Sequence, residues 1–252
     1  MKFNATIFRA IACLLISSAA VSANASDKKN QAKPGAAQKV DSGSFGIFIK
    51  GQRVATETFD IQQENNTSFV KSQLKQVAGS DPVTQKSDLQ ITSSGELVSY
   101  DWSQSSGGSL TVLPNNEFLI EKITTPSSSK PAEQPFLMPN TSVILDNNFF
   151  IHREVLVWRY LAANCKPENG SMKCKQEPGE FGVLVPQDRT SVRVRLELVG
   201  EEKVTIRGTE RNLLRLNLKS DELEWALWVN DRDQFKLMRV AIPADNTEVI
   251  RD

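Results

Sequence analysis

His152 is the only histidine in a chain of 252 residues, and that scarcity removes much chemistry at once. A histidine-based zinc site takes two or three imidazoles. A Ser-His-Asp relay could run only through His152, and no G-x-S-x-G turn exists to present the serine. At helical spacing His152 falls with Asn148 and Arg159 on one polar stripe, so it is expected at the surface. Neither G-x-x-x-x-G-K-[ST] nor G-x-G-x-x-G occurs, which leaves phosphate cradling without its loop. Glu201-Glu202, Asp221-Glu222 and Asp231 with Asp233 fall in predicted turns and read as solvated, and Asp231-x-Asp233 lacks the spacing of a calcium loop. No catalytic residue, metal ligand or cofactor is expected, and the chain reads as non-catalytic.

Cys165 and Cys174 flank a turn-rich segment containing Pro167 and Asn169-Gly170. In an oxidising compartment such a pair reads as a disulfide, stabilising by roughly 2–3 kcal/mol in the chain-entropy description. A redox or metal-binding pair fits less well, because the spacing is not C-x-x-C and no histidine lies nearby.

The aromatic residues are more suggestive. Trp225 and Trp228 lie three apart on a predicted strand and therefore point to opposite faces. Phe149, Phe150, Val157, Trp158 and Leu161, with Trp225 and Trp228, are the candidate surface for a hydrophobic ligand. Tyr100 and Trp102 could join them. The same side chains also suit an ordinary packed core, and both readings stay open.

These residues need elements to hold them. Short alternating apolar runs separated by turn residues mark an antiparallel β protein. Phe45, Ile47 and Ile49, then Val54 to Ile61, read as an opening hairpin around Gly51-Gln52. Further strands are expected over 68–77, 88–92, 97–102, 110–113 and 117–124. After 190 the alternation resumes at Val192-Val194-Leu196-Leu198 and repeats to Met238-Val240-Ile242. A loop is expected over 125–142, where three prolines and three consecutive serines within 125–135 interrupt the pattern. One segment breaks the strand rhythm. From Asp146, a good N-cap, a helix is predicted over 147–163, since no Gly or Pro interrupts it. Its β-branched Ile151, Val155 and Val157 also suit a strand; length and capping favour the helix. The fold class is mainly β (α+β): a strongly curved antiparallel sheet or half-barrel wrapped around one helix.

The N-terminus supplies an address. Lys2 and Arg9, the apolar stretch Ile11 to Val21, and Ala23-Asn24-Ala25 read as a signal peptide over 1–25, cleaved after Ala25. Lipidation at Cys13 is the alternative, although Leu14, Leu15 and Ile16 follow that cysteine rather than precede it. Residues 26–42 carry no large apolar side chain before Val40 and read as a disordered tether. Residues 43–252 then form a single domain. Removing Lys2 and Arg9 leaves 28 basic against 30 acidic residues, which argues against a nucleic-acid surface. No transmembrane span is expected in the mature chain, and the location is exported, periplasmic or extracellular.

The pattern resembles a group of uncharacterised exported bacterial β-rich proteins, with a layout similar to the periplasmic lipoprotein-carrier half-barrels. The resemblance rests on Gly43-Ser44-Phe45-Gly46-Ile47 with Gly51 and Glu57-Thr58-Phe59, and on Leu145-Asp146-Asn147-Asn148-Phe149-Phe150. It continues through Val185-Pro186-Gln187, Trp225-Ala226-Leu227-Trp228-Val229, Leu237-Met238-Arg239 and Ile242-Pro243, and spans most of 42–252. It implies a concave apolar face able to hold acyl chains. Two functions follow as expectations: an exported envelope protein binding a hydrophobic small molecule or lipid, or a protein-interaction module docking an envelope partner through a strand edge or the 125–142 loop.

Overall fold

The computed structural model describes residues 37–77, 83–128, 130–168, 171–175, 177–221 and 223–252. The leader 1–25 with Cys13 and Ala25, and the stretch 26–36, lie outside the described residues. The opening hairpin forms as its sequence dictates. Strands β1 (Gln38–Ile49) and β2 (Gln52–Glu64) turn through Lys50-Gly51. Both turn residues have positive φ, 51° and 77°, the twist that a two-residue hairpin loop needs. A meander continues through β3 (Thr67–Gln76), β4 (Thr84–Thr92), β5 (Leu97–Gln104), β6 (Ser109–Asn115), β7 (Phe118–Thr124) and β8 (Ala132–Phe136).

After the short β9 (Val143–Ile144) comes the helix α1 (Ile151–Asn164), then the hairpin β10 (Cys165–Glu168) and β11 (Ser171–Cys174). A second meander follows: β12 (Gly179–Val185), β13 (Thr190–Ile206), β14 (Thr209–Lys219), β15 (Glu224–Asn230), β16 (Lys236–Ile242) and β17 (Thr247–Arg251). The two meanders join where β1 pairs with β17, which makes a single 15-stranded sheet running from β8 at one edge to β9 at the other. Its neighbours are antiparallel except β9 with β12, which are parallel. This is the large, curved, non-closed antiparallel sheet with one helix that the alternation predicts.

One apolar cluster gathers the inward residues of nearly every strand around α1, from Phe45 and Ile61 through Tyr100, Val112 and Leu119 to Leu196, Leu216, Leu227 and Val240. Alternation explains which side chains enter: in β3, Val70 and Leu74 are buried while Lys71 and Lys75 are exposed. Tyr160 of the helix packs against β12 at Gly179, where a Cβ would stand 2.8 Å from its ring. Cys165 and Cys174 face each other in the β10–β11 register and are joined by a disulfide. The Cys165 N–H also donates to the Leu161 carbonyl. The hairpin is thus stapled directly onto the end of the helix.

Four expectations need correcting. The tether expected over 26–42 does not extend over 38–42, because Gln38–Ser42 pairs with β2. What holds it is backbone pairing and a buried ion pair, Asp41 with Arg251 at 2.5 Å, neither of which needs apolar side chains. The loop expected over 125–142 contains β8, which pairs with β7. Pro135 is tolerated there because β8 is an edge strand. The helix begins at Ile151 rather than 147. His152, expected at the surface, is fully buried, as are its neighbours Arg153 and Glu154. A polar stripe needs solvent on one side, whereas the first half of α1 lies inside the curve of the sheet.

Candidate functional site: a buried polar hub and two openings beside the helix

The start of α1 is held from across the sheet. Asp146, predicted as the N-cap, instead accepts the Asn148 N–H at 2.7 Å and the Tyr100 hydroxyl. The cap position belongs to Phe150, whose side chain offers no acceptor. Glu57 of β2 supplies the missing carboxylate. It accepts the Phe150 N–H at 2.7 Å, the Ile151 N–H at 3.2 Å and the Ser72 hydroxyl at 2.7 Å. A negative group here satisfies free N–H donors and meets the positive end of the helix dipole. Burial nevertheless pushes the Glu57 carboxyl up to about 7, against the opposing pull of Ser72, the helix N–H groups and Arg153.

Arg153 donates to the carbonyls of Asp146 and Phe149, the latter at 2.7 Å. Its guanidinium lies 5.0 Å from the Phe150 ring centre and 4.6 Å from that of Trp225. His152 Nδ1 accepts the Asp146 N–H at 3.3 Å, and Nε2 has no partner. Burial, with Arg153 adding to it, holds the imidazole down to about 3, so it is neutral. On the other side of α1, Glu154 accepts the Leu237 N–H at 2.6 Å and pairs with Arg251 at 3.1 Å. Arg251 also grips Asp41 and lies against the stacked pair Phe45 and Phe59, 5.8 Å and 5.0 Å from their ring centres.

Tyr100, Asp146, His152, Arg153, Glu154 and Glu57 are all fully buried. The sequence reading missed this gathering. The available signal was charge inside an apolar helix, Arg153-Glu154 between Ile151 and Val155, and Glu57 among inward positions of β2. Closed off from solvent, these groups hold the start of the helix inside the sheet. The turn between β12 and β13 adds ties to the segment before α1 and to β7. Gln187 donates to Asp146, Asn147 donates to Asp188 at 2.6 Å, and Arg189 pairs with buried Glu121 of β7 at 3.5 Å.

Two openings flank the helix. The first is a groove of about 690 Å³ at its N-terminal end, lined by Ile47, Ile49, Val54, Phe150, Trp225 and Ile242, with Asn147 and Asn148 among its polar residues. The second is an apolar cleft of about 250 Å³ between α1 and strands β4, β5 and β9. Leu89, Leu97, Ile144, Val155 and Leu156 form its buried floor. Its exposed lining residues, Ser93, Ser94 and Ala162, mark the mouth.

The candidate residues divide among these places. Phe150 and Trp225 meet at the groove, ring centres 6.4 Å apart. Trp158 lines the cleft and donates its indole N–H to the Phe235 carbonyl at 3.2 Å. Phe149, Val157 and Leu161 are packed in the core. Trp225 and Trp228 do face opposite ways. Trp228 belongs to a separate cluster with Val204, Ile206, Leu213 and Met238, between the Arg215 and Arg239 guanidiniums.

No protein-family model matches the chain, and no curated protein matches it. Among solved structures it is similar to a beta-barrel-like protein of the domain of unknown function DUF1849 from Brucella abortus, at 6% identity and a TM-score of 0.48, over 84% of this chain and 94% of that one.

Proposed function

We propose that this chain is a non-catalytic exported envelope protein that binds a hydrophobic or lipid-like ligand beside its helix. The observation that carries the reading is the cleft between α1 and β4–β5. Its floor is apolar, its mouth is rimmed by hydroxyls, and among the described residues no acidic one lines it, a composition that suits an apolar guest held by a few polar contacts. The layout of a curved sheet over one helix, similar to the lipoprotein carriers, points the same way. The disulfide fits an oxidising compartment, and no helix among the described residues is long and apolar enough to cross a membrane. Native mass spectrometry of protein purified from its own envelope is expected to show apolar adducts. The cleft-filling variant Ile91→Trp is expected to lose them and to weaken an apolar fluorophore at least about tenfold. Adduct-free wild-type protein, or a variant that keeps its adducts, would dismiss the reading.

A second reading, an assembly module, has its own observation. On the outer face at the β8 edge, Leu113, Phe118 and Leu137 are 40%, 41% and 76% exposed. Register aligns Leu113 with Ile120 and Ile120 with Pro135, so these form one apolar strip. Pro135 has no N–H to offer an added strand, so docking would run through side chains. Crosslinking in the envelope is expected to capture a partner with wild-type protein and lose it with Phe118→Lys and Leu137→Lys. Identical crosslinks in wild type and variants would remove this reading.

A further inference from the structure

Among the described residues, Arg159 is the only charged one lining the cleft. Its stem lies against Gly95, whose φ of 82° lets the β4–β5 turn fold close beside it. One of its five N–H donors reaches the Gly95 carbonyl at 3.2 Å, and its guanidinium lies 5.8 Å from the Phe181 ring centre. Among the described residues no carboxylate pairs with it. Burial pulls the guanidinium below its ordinary value, with no acidic neighbour to restore it. The contrast with the rest of the molecule is direct. Arg251, deeper still, holds two carboxylates, Asp41 and Glu154. Arg195 and Arg211, which have no ion pair, are exposed to water, and Arg153, buried without an ion pair, is held by two carbonyls inside the core and lines neither opening. Its remaining donors, those of Arg159, are left to solvent at the rim of an apolar cavity, where an anionic group could take them.

The cavity sets the other half of the ligand. At about 250 Å³ it falls below the ~300–1,000 Å³ of pockets that enclose drug-sized molecules, so it suits one hydrocarbon chain rather than a paired one. The hydroxyls of Ser93 and Ser94 at the mouth can donate to the same oxygens that Arg159 would hold.

We propose that the cleft takes a single-chain amphiphile with an anionic head, its chain over Leu89, Leu97 and Leu156 and its head on Arg159. This rests on the ligand-binding reading above and adds the charge of the head. The test is calorimetric titration of the full chain with decanoate, decyl phosphate, decanol and decyltrimethylammonium, for wild type, Arg159→Gln and Arg159→Lys. In wild type, decanoate or decyl phosphate is expected to bind at least about tenfold tighter than decanol, and the tighter of the two identifies the head as carboxylate or phosphate. Arg159→Gln is expected to bring the anions down to the decanol affinity while leaving decanol unchanged, and Arg159→Lys to keep a preference for the anions. Equal affinity for anion and alcohol, a preference for the cation, or an anion preference that survives Arg159→Gln would overturn the head assignment and leave the apolar site standing. If none of the four binds, the ligand-binding reading falls with it.

Discussion

Glu57→Leu is expected to lower the unfolding free energy by about 3–5 kcal/mol, the usual cost of removing one partner from a buried charged network. The substitution leaves the Phe150 and Ile151 N–H groups and the Ser72 hydroxyl without their acceptor, each at about 1–3 kcal/mol when buried and unsatisfied. It also leaves Arg153 with less opposing charge. Against a typical total of about 5–15 kcal/mol, this places the variant near the edge of folding. Glu57→Gln keeps the side chain's shape and one acceptor oxygen, and is expected to cost about half as much or less. Urea unfolding followed by far-ultraviolet circular dichroism measures both. A Glu57→Leu midpoint equal to wild type would mean that the helix start is held by packing alone.

The second large effect is acid sensitivity through His152. The imidazole's ordinary value of 6.5 falls to about 3 in the folded chain. The unfolded state therefore binds the proton more readily between those limits, and stability is lost as pH falls from 6.5 towards 3. Relative to His152→Gln, wild type should lose about 1.4 kcal/mol per pH unit below 6.5, up to about 5 kcal/mol in all. Glu57 acts in the opposite sense. Its carboxyl is raised from 4.5 to about 7, so its contribution is full below 4.5 and is lost as pH rises through 7. Between 4.5 and 6.5 the two slopes offset each other, and below 4.5 His152 is left unopposed by Glu57. Unfolding curves for wild type and His152→Gln at pH 7.5, 5.5 and 4.5 give the difference directly. A gap that stays constant across the three would show that the buried imidazole does not set the acid limit.

Much of the sheet was legible because its strands are amphipathic. β3, β5 and β7 begin and end within two residues of the expected runs, since one face of each is buried and the other is wet. The segments that escaped are those whose pairing, rather than whose side chains, makes them strands. Gln38–Ser42 and Ala132–Phe136 carry polar and proline-containing sequence and are held by neighbours far along the chain. The helix was legible in type but not in surroundings. Periodicity assumes water on one flank, and α1 has protein around His152, Arg153 and Glu154, whose partners Glu57, Asp146 and Arg251 come from other elements. The candidate surface was half legible for the same reason. Aromatic content pointed to Phe150, Trp158 and Trp225, but only tertiary structure separates these from buried Phe149 and from Trp228. Arg159 was read as one member of a polar stripe; its missing counter-ion is visible only in three dimensions.

The seam between β1 and β17 bears on the order in which the molecule can assemble. Arg251 and Asp41, which clasp across it, are 210 positions apart. Each meander can zip up from its own hairpins, but the register that unites them waits for two distant segments to meet, a slow step by the rule that long-range pairings retard folding. A chain in which β1 and β17 had not yet paired would present two bare strand flanks, the kind of edge most open to mispairing with another copy.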